Sequence, residues 1–391
     1  MSPVLSIGIY CLMIALAFFL TDLCLRKWRR TAEAAGRLRK FWLVPGLLLS
    51  LLPVAGALLP NSAVKFALQG AGNVWLGFFL YYGFLLVVLL ALTLPFRRAA
   101  WRHGGALCLS LAASLALFGY GLVHAQNTRV ITYDLTLDKP AAETEEMKLV
   151  LIGDLHLSVN SQLATTQKMV ELINAQQPDV VVIAGDIFTS SYEGLAHPEQ
   201  YAEALRGIES KYGVYAVYGN HDVEETLFGG FPISPISQAF RTTQMEQFFD
   251  DCNFITLADE VATLDDAVQL AGRIDGEKAG DGTTNRMSPE ELLKDIDPDL
   301  PVLVLEHEPK EFEALRAAGA DVALCGHTHA GQMFPGNLIV PFFNENAWGY
   351  KRLHELDTFV TAGVGYYGPP MRVGTDSEIT VINMTFKGKD A

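Results

Sequence analysis

Acidic residues are almost missing from the first third of this chain. Of its 44 Asp and Glu, only Asp22 and Glu33 precede residue 125, whereas 11 of the 29 Lys and Arg do. A soluble globular surface carries both signs, so this stretch is not one. Cysteine is scarce as well: Cys11, Cys24 and Cys108 fall in the apolar first part, and Cys252 and Cys325 are the only two after it. Two thiols cannot build a disulfide scaffold, and whether this pair meets is left open by the sequence. A basic stripe is missing from the second part, where 42 acidic residues face 18 basic ones. That argues against nucleic acid as the main partner.

What the first part does contain is long apolar runs, at about 4–25, 41–60, 74–95 and 104–124. Each approaches the roughly 20 residues a helix needs to cross a bilayer. The second run holds Pro45 and Pro53, which a membrane helix tolerates as a kink. No basic stretch precedes the first run and a basic cluster follows it, the wrong order for a cleaved signal peptide. Arg26, Lys27, Arg29, Arg30, Arg37, Arg39 and Lys40 lie between runs one and two, and Arg97, Arg98 and Arg102 between three and four. The middle loop carries only Lys65. By the positive-inside rule the first and third loops are cytoplasmic, both termini lie outside, and the acidic part is extracytoplasmic. Trp28, Trp42, Trp75 and Trp101 suit interfacial anchoring. Residues 1–124 are thus expected to be a four-helix transmembrane region, 125–147 a linker with strand-like character, and 148–391 a folded domain.

From 148 onward the pattern alternates strand and helix. Strands are predicted at 148–152, 180–184, 213–218, 301–305 and 321–325, with helices at 163–176, 198–210, 244–251 and 310–318. Shorter strands are expected at 253–257, 260–264, 267–272, 357–362 and 378–386. Such alternation implies an α/β sheet covered on its faces, with reactive groups at the carboxyl ends of the strands.

Five strand ends carry polar clusters: Gly153-Asp154-Leu155-His156, Gly185-Asp186, Gly219-Asn220-His221-Asp222, Glu306-His307-Glu308 and Gly326-His327-Thr328-His329. Five of the nine histidines fall in them. An amide, imidazoles and carboxylates crowded at strand tips are costly neighbours without a charge among them, and a bound metal is the simplest such partner. Imidazole, carboxylate and one amide oxygen, with no thiolate, suit Mn, Fe or Zn in a reactive site better than structural zinc.

In this order the clusters resemble the calcineurin-like metallophosphoesterases, whose motifs run Asp-x-His, Gly-Asp, Gly-Asn-His-Asp/Glu, a lone His, and Gly-His-x-His. The membrane-anchored bacterial branch is the nearest likeness, with Gly331-Gln332 following and Ala330 where a further glycine is usual. The resemblance implies an αββα sandwich of mixed sheets and two divalent ions. It implies that Asp154, His156 and His329 hold one ion, that Asn220, His307 and His327 hold the other, and that Asp186 bridges them. His221 would face the substrate phosphate with Asp222 orienting it from behind, and a metal-bridging hydroxide would attack. The activity so implied is that of a membrane-anchored phosphoesterase. Phosphodiesters are the expected substrates, lipid-linked ones among them, and membrane lipids the surroundings.

Other readings fit parts of the chain. A surface phosphatase for nucleotides or small phosphomonoesters would share the ligand set. A non-catalytic metal-binding sensor or partner module would not need Asp186, Asn220 and His221 together. A transporter would need ionisable groups in the spans, and Asp22 near a span end is nearly alone there. Arg273 and Arg372 are expected to form salt bridges rather than phosphate contacts. Glu306 and Glu308 are expected beside the ligands rather than among them, and His197 and His354 on the surface. The apolar loop 223–240, with Leu227, Phe228, Phe231, Ile233, Ile236 and Phe240, is expected either to meet lipid or to pack on its own domain.

Overall fold

A computed structural model describes residues 3–28, 32–99, 101–141, 144–228 and 231–387. Arg29, Arg30, the linker residues 142–143 and the last four residues of the expected domain lie outside the described residues, as do the side chains of Phe228 and Phe231. The described chain divides into two compact units.

The first unit comprises Met1–His124 with two short pieces, Thr226–Ser234 and Gly368–Met371. Its helices are α1 (Pro3–Trp28), α2 (Ala32–Ser50), α3 (Leu52–Ala57), α4 (Ala63–Leu92) and α5 (Arg102–His124). Four stretches are long and apolar enough to cross a membrane: Gly8–Trp28, Arg39–Gly56, Ala63–Leu92 and Arg102–His124. The second is interrupted where α2 stops and Pro53 enters the first turn of α3, since proline has no N–H to continue the ladder. Phe78, Tyr82 and Leu86 of α4 pack against Cys24 and Ala106. Some polar groups within this apolar unit find partners. The Tyr10 hydroxyl donates to the Ser50 carbonyl at 2.8 Å, and Asp22 pairs with Arg26 at 2.8 Å and with Arg39. The strands β5 (Leu227–Phe228) and β6 (Phe231–Pro232) form a hairpin in this unit, and Ile233 packs beside Tyr10 and Leu76. The apolar loop therefore does not fold back on the second unit's core at Ile233; it joins the apolar helices.

The second unit is built from β1 (Thr128–Leu137), β2 (Glu146–Ile152), α6 (Leu163–Asn174), β3 (Val180–Ala184), α7 (Pro198–Arg206) and β4 (Val214–Val217). After the hairpin come α8 (Thr243–Asp251), β7 (Ile255–Thr256), β8 (Glu260–Leu264), β9 (Val268–Gly272) and α9 (Pro289–Leu292). Then follow β10 (Val302–Leu305), α10 (Phe312–Ala317), β11 (Val322–Cys325), α11 (Gly336–Ile339), β12 (Gly349–Leu353), β13 (Leu356–Val360) and β14 (Ser377–Phe386). Two six-stranded sheets result, in the orders β1-β14-β2-β3-β4-β7 and β12-β13-β11-β10-β9-β8. Each mixes parallel pairs with antiparallel ones, such as β14 with β2 and β12 with β13.

The side-chain period of two explains the layering. Leu149 and Leu151 of β2 and Val180 and Val182 of β3 point into a core shared with Leu303, Leu305, Val322 and Leu324 of the other sheet. The alternate residues Val150, Ile152, Val181 and Ile183 face Ile173, Leu205, Phe248 and Phe249 on α6, α7 and α8. On the far side, Val302, Val304 and Ala323 face Leu292, Phe312 and Leu315 on α9 and α10. This is the mixed αββα sandwich.

One expectation changes. The stretch 128–137, expected as part of a linker, is a full strand running parallel to β14, with Thr128 opposite Ser377 and Leu137 opposite Phe386. Ile131, Tyr133, Leu135 and Leu137 supply the alternation, but an edge strand is covered on one side only and its signal is weak.

The short strands β3 and β4 end side by side, and their exits are packed without spare room. A methyl group on Gly219 would strike the Asp186 carboxylate. Gly219→Ala is expected to lower stability by about 1–3 kcal/mol in chemical denaturation, and to lose bound metal, because the neighbouring carboxylate must move.

Candidate metal centre

All five polar clusters sit at the carboxyl ends of β2, β3, β4, β10 and β11. The turns that follow are forced into an uncommon conformation. Asp154, His156, Asp186, His327 and His329 all have positive φ, between 48° and 73°. For residues with a Cβ this costs on the order of 1–3 kcal/mol each, and such strain persists where the surroundings over-determine it. Ala330, where glycine would be free, also takes φ 50°.

These turns bring the donor atoms of seven residues together. The Oδ2 of Asp186 lies 3.1 Å from His307 Nε2 and 3.5 Å from His156 Nε2. His307 Nε2 is also 3.0 Å from Asn220 Oδ1 and 3.2 Å from His327 Nδ1. On the other side, His156 Nε2 is 3.0 Å from His329 Nε2, and His329 Nε2 is 3.5 Å from Asp154 Oδ1. Two groups of three donors, Asp154 with His156 and His329, and Asp154 with Asp186 and His307, each lie within 4.8 Å of one another. All but His327 are buried, and it is half-buried.

The surroundings aim the lone pairs inward. His307 Nδ1 donates to the Ala184 carbonyl at 2.7 Å, which leaves Nε2 unprotonated and facing Asp186 in the neutral ring. His156 Nδ1 is 3.2 Å from the Thr189 hydroxyl. Backbone N–H groups fix the carboxylates: His327 donates to Asp154 and His221 donates to Asp186 Oδ1 at 2.8 Å.

Whether metal ions fit can be judged from these contacts alone. Two imidazole Nε2 atoms 3.0 Å apart must share a proton or a cation. Burial raises Asp154 to about 7 and lowers His156 to about 3 and His327 to about 4. Burial also works to raise Asp186, but His307 and His221 outweigh it and hold that carboxyl well below its usual range. A cluster that has to trade protons to stay buried is one that divalent cations would satisfy, and the N/O donor set suits them.

Other residues depart from expectation. Asp222 does not back His221. Its carboxylate accepts from the backbone N–H groups of Asp186, Phe188 and Gly219 at 2.8–2.9 Å, clamping the β3 and β4 exits together. His221 Nδ1 instead lies 2.9 Å from Ser190 Oγ, which donates to Glu225 Oε1 at 2.9 Å. Lys278 Nζ completes the buried chain at 2.5 Å from Glu225. The His221 ring stacks on Tyr367, with centroids 4.5 Å apart. Ser190, Glu225, Lys278 and Tyr367 come from four loops, and no local motif marks them.

Arg273 is fully buried and pairs with Glu306 at 2.6 Å and Glu311 at 2.9 Å, the salt bridge expected of it. Among the described residues, Arg372 forms no such bridge. It is fully buried and donates to the carbonyls of Ala362, Gly363, Gly365 and Asp376, bracing the loop beside the centre. Glu308 pairs with Lys310, and His197 and His354 are exposed. Cys252 and Cys325 are separate buried thiols.

The description of one protein-family model, calcineurin-like phosphoesterase, matches residues 147–331. This chain carries a calcineurin-like metallophosphoesterase domain. Within the matched stretch, Asp154, His156, Asp186, His307 and His329 supply the donor groups that could hold metal. Among its relatives is a "transmembrane protein with metallophosphoesterase domain" of Danio rerio, 32% identical over 281 residues, 70% of this chain and 61% of that one. A protein of the same description from Bos taurus is 29% identical over 344 residues, 82% of this chain and 72% of its own. An "uncharacterized metallophosphoesterase" of Helicobacter pylori is 28% identical over 320 residues, 79% and 78% of the two chains. The match thus spans less than two thirds of the Danio rerio protein. With four apolar helices of spanning length and relatives described as transmembrane, this metallophosphoesterase is a membrane protein.

The Asp186→Asn variant is expected to lose bound metal, measured by elemental analysis, together with phosphoesterase activity. Retention of both ions would show that Asp186 is not at their centre.

Proposed function

We propose that the chain is a membrane-anchored, binuclear phosphoesterase that hydrolyses phosphodiesters, lipid-linked ones among them, on the extracytoplasmic face. The observation that carries this reading is the position of one Asp186 oxygen between His156 on one side and His307 on the other. Asp154, His156 and His329 would hold one ion and Asn220, His307 and His327 the other, with Asp186 serving both. Two divalent ions of Mn, Fe or Zn type would supply positive charge to the phosphoryl oxygens and lower the pKa of water toward neutrality.

The chain's own residues do the rest. Asp186 contributes the negative charge that two close cations require, which a neutral amide could not. His221 holds a proton beside the centre and delivers it to the leaving oxygen. Its Nδ1 is fixed by Ser190, whose hydroxyl is in turn polarised by Glu225, so Nε2 is the nitrogen left for substrate. Burial works against the Glu225 charge, but His221 and Lys278 outweigh it and keep its carboxyl below the usual range. Asp222 acts on shape, holding the turns on which Asp186 and Asn220 stand.

The deciding experiment is purification of the full chain, metal analysis, and a screen of aryl phosphomonoesters and phosphodiesters with added Mn. Turnover of monoesters alone would favour the nucleotide or small-phosphate alternative. Metal without turnover of either class would favour a sensor. His221→Ala is expected to keep both ions and lower kcat by roughly 10²–10⁴-fold, most severely for poor leaving groups. Glu225→Gln is expected to lower kcat by roughly 10–100-fold with metal content unchanged, the range seen for groups that orient site imidazoles.

Sidedness has its own measurement. A cysteine placed at the exposed Glu290, in a Cys11→Ala/Cys108→Ala chain, is expected to react with a membrane-impermeant maleimide in intact cells. Reaction only after permeabilisation would put the domain in the cytoplasm.

A further inference from the structure

The second unit presents an apolar face that its own fold does not cover. Residues 331–344 contain no charged side chain, in a part of the chain that is otherwise strongly acidic. Phe342 and Phe343 are 84% and 80% exposed, and Leu338 and Ile339 on α11 are exposed beside them. Scattered exposed apolar residues are ordinary, but a contiguous set with two nearly free phenyl rings is not. The segment's backbone is well held. Phe334 N–H donates to the Val373 carbonyl at 2.8 Å, Phe343 N–H to Val340 at 3.1 Å, and the Asn344 amide to Val340 at 3.0 Å. The backbone so held displays both rings outward.

We propose that this face is a lipid-docking element, seating the second unit on the bilayer at the boundary between headgroups and acyl chains. The choice of occupant follows from where the face lies along the chain. Helix α5 ends at His124 and β1 begins at Thr128, so three residues separate an apolar spanning helix from the second unit's first strand. Three residues reach about 10 Å at most. That strand start and the apolar face are fastened to one segment, Val373–Ser377. Arg129 pairs with Asp376 at 2.9 Å, and the Ser377 hydroxyl donates to the Ala125 carbonyl at 3.0 Å. From the other side Asn337 donates to the Gly374 carbonyl at 3.3 Å, and Phe334 is bound to Val373. The point where the chain leaves the membrane and the exposed rings therefore share one anchor within the second unit. Aromatic and aliphatic side chains without charge are what a headgroup–acyl boundary accepts, and the half-exposed Trp348 nearby suits the same depth.

The consequence concerns access. His327 and His329 lie immediately before the segment, so docking would hold the metal centre close to the headgroup layer. The docking itself does not depend on how the centre reacts.

The test uses the full chain in nanodiscs of phosphatidylethanolamine and phosphatidylglycerol. Phe342→Cys, in the Cys11→Ala/Cys108→Ala chain, is labelled with nitrobenzoxadiazole and compared with the same label at Glu290→Cys, metal content serving as the check of folding. The label at 342 is expected to be blue-shifted and quenched several-fold more by doxyl-labelled lipid than by iodide, with the reverse at 290. Equal iodide quenching at both positions would overturn the proposal. So would a blue shift at 342 that ignores doxyl lipid and follows protein concentration, which would mean that a second copy covers the face. If the label at 342 abolishes metal binding, Leu338→Cys gives the same readout.

Discussion

Charge that cannot remain buried unaided governs this molecule's soluble part. Asp154, Asp186 and four histidines from four strand ends are packed so closely that nitrogen faces nitrogen and carboxylate faces carboxylate. Most of these groups are buried, so solvent screens the arrangement little. Cations are the natural complement, and the positive-φ turns, the short strands and the close-packed glycines all serve to place donors where the cations go. The sandwich core explains why the turns can bear such strain. Both sheets bury nearly every residue of β2, β3, β4, β10 and β11, which fixes the strand ends to within the tolerance metal ligation demands.

Around the ligands the fold divides labour between groups that hold shape and groups that hold protons. Asp222 and Arg372 belong to the first kind. One is a buried carboxylate that accepts only backbone N–H groups, and the other a buried guanidinium that donates chiefly to backbone carbonyls. Both spend charge on irregular loops that no regular ladder could satisfy. Ser190, Glu225 and Lys278 belong to the second kind, forming a chain behind His221 that fixes which ring nitrogen faces outward.

The apolar unit adds a constraint of another type. A helix of spanning length that passes into a strand after three residues leaves the soluble unit no freedom to diffuse away. A unit tethered in this way samples a layer rather than a volume.

Local pattern was enough for the parts of this protein that are local. Runs of apolar residues, loop arginines and strand–helix alternation marked the spanning helices and most of the sandwich, because burial on both faces demands continuous apolar strands. The ligands were legible for a similar reason: each sits within four residues of a strand end, and all but His156 stand next to a glycine or another polar group. The edge strand β1 was blurred because half its surface faces water and its alternation is mixed with Thr and Asp. What the tertiary structure alone decided is which groups meet across distance. Ser190 and Glu225 behind His221, Arg372 among carbonyls, Ile233 against Tyr10 and Leu76, and the bare rings of Phe342 and Phe343 are outcomes of packing. Their neighbours lie tens to hundreds of residues away, and a linear pattern records periodicity along the chain, not proximity through space.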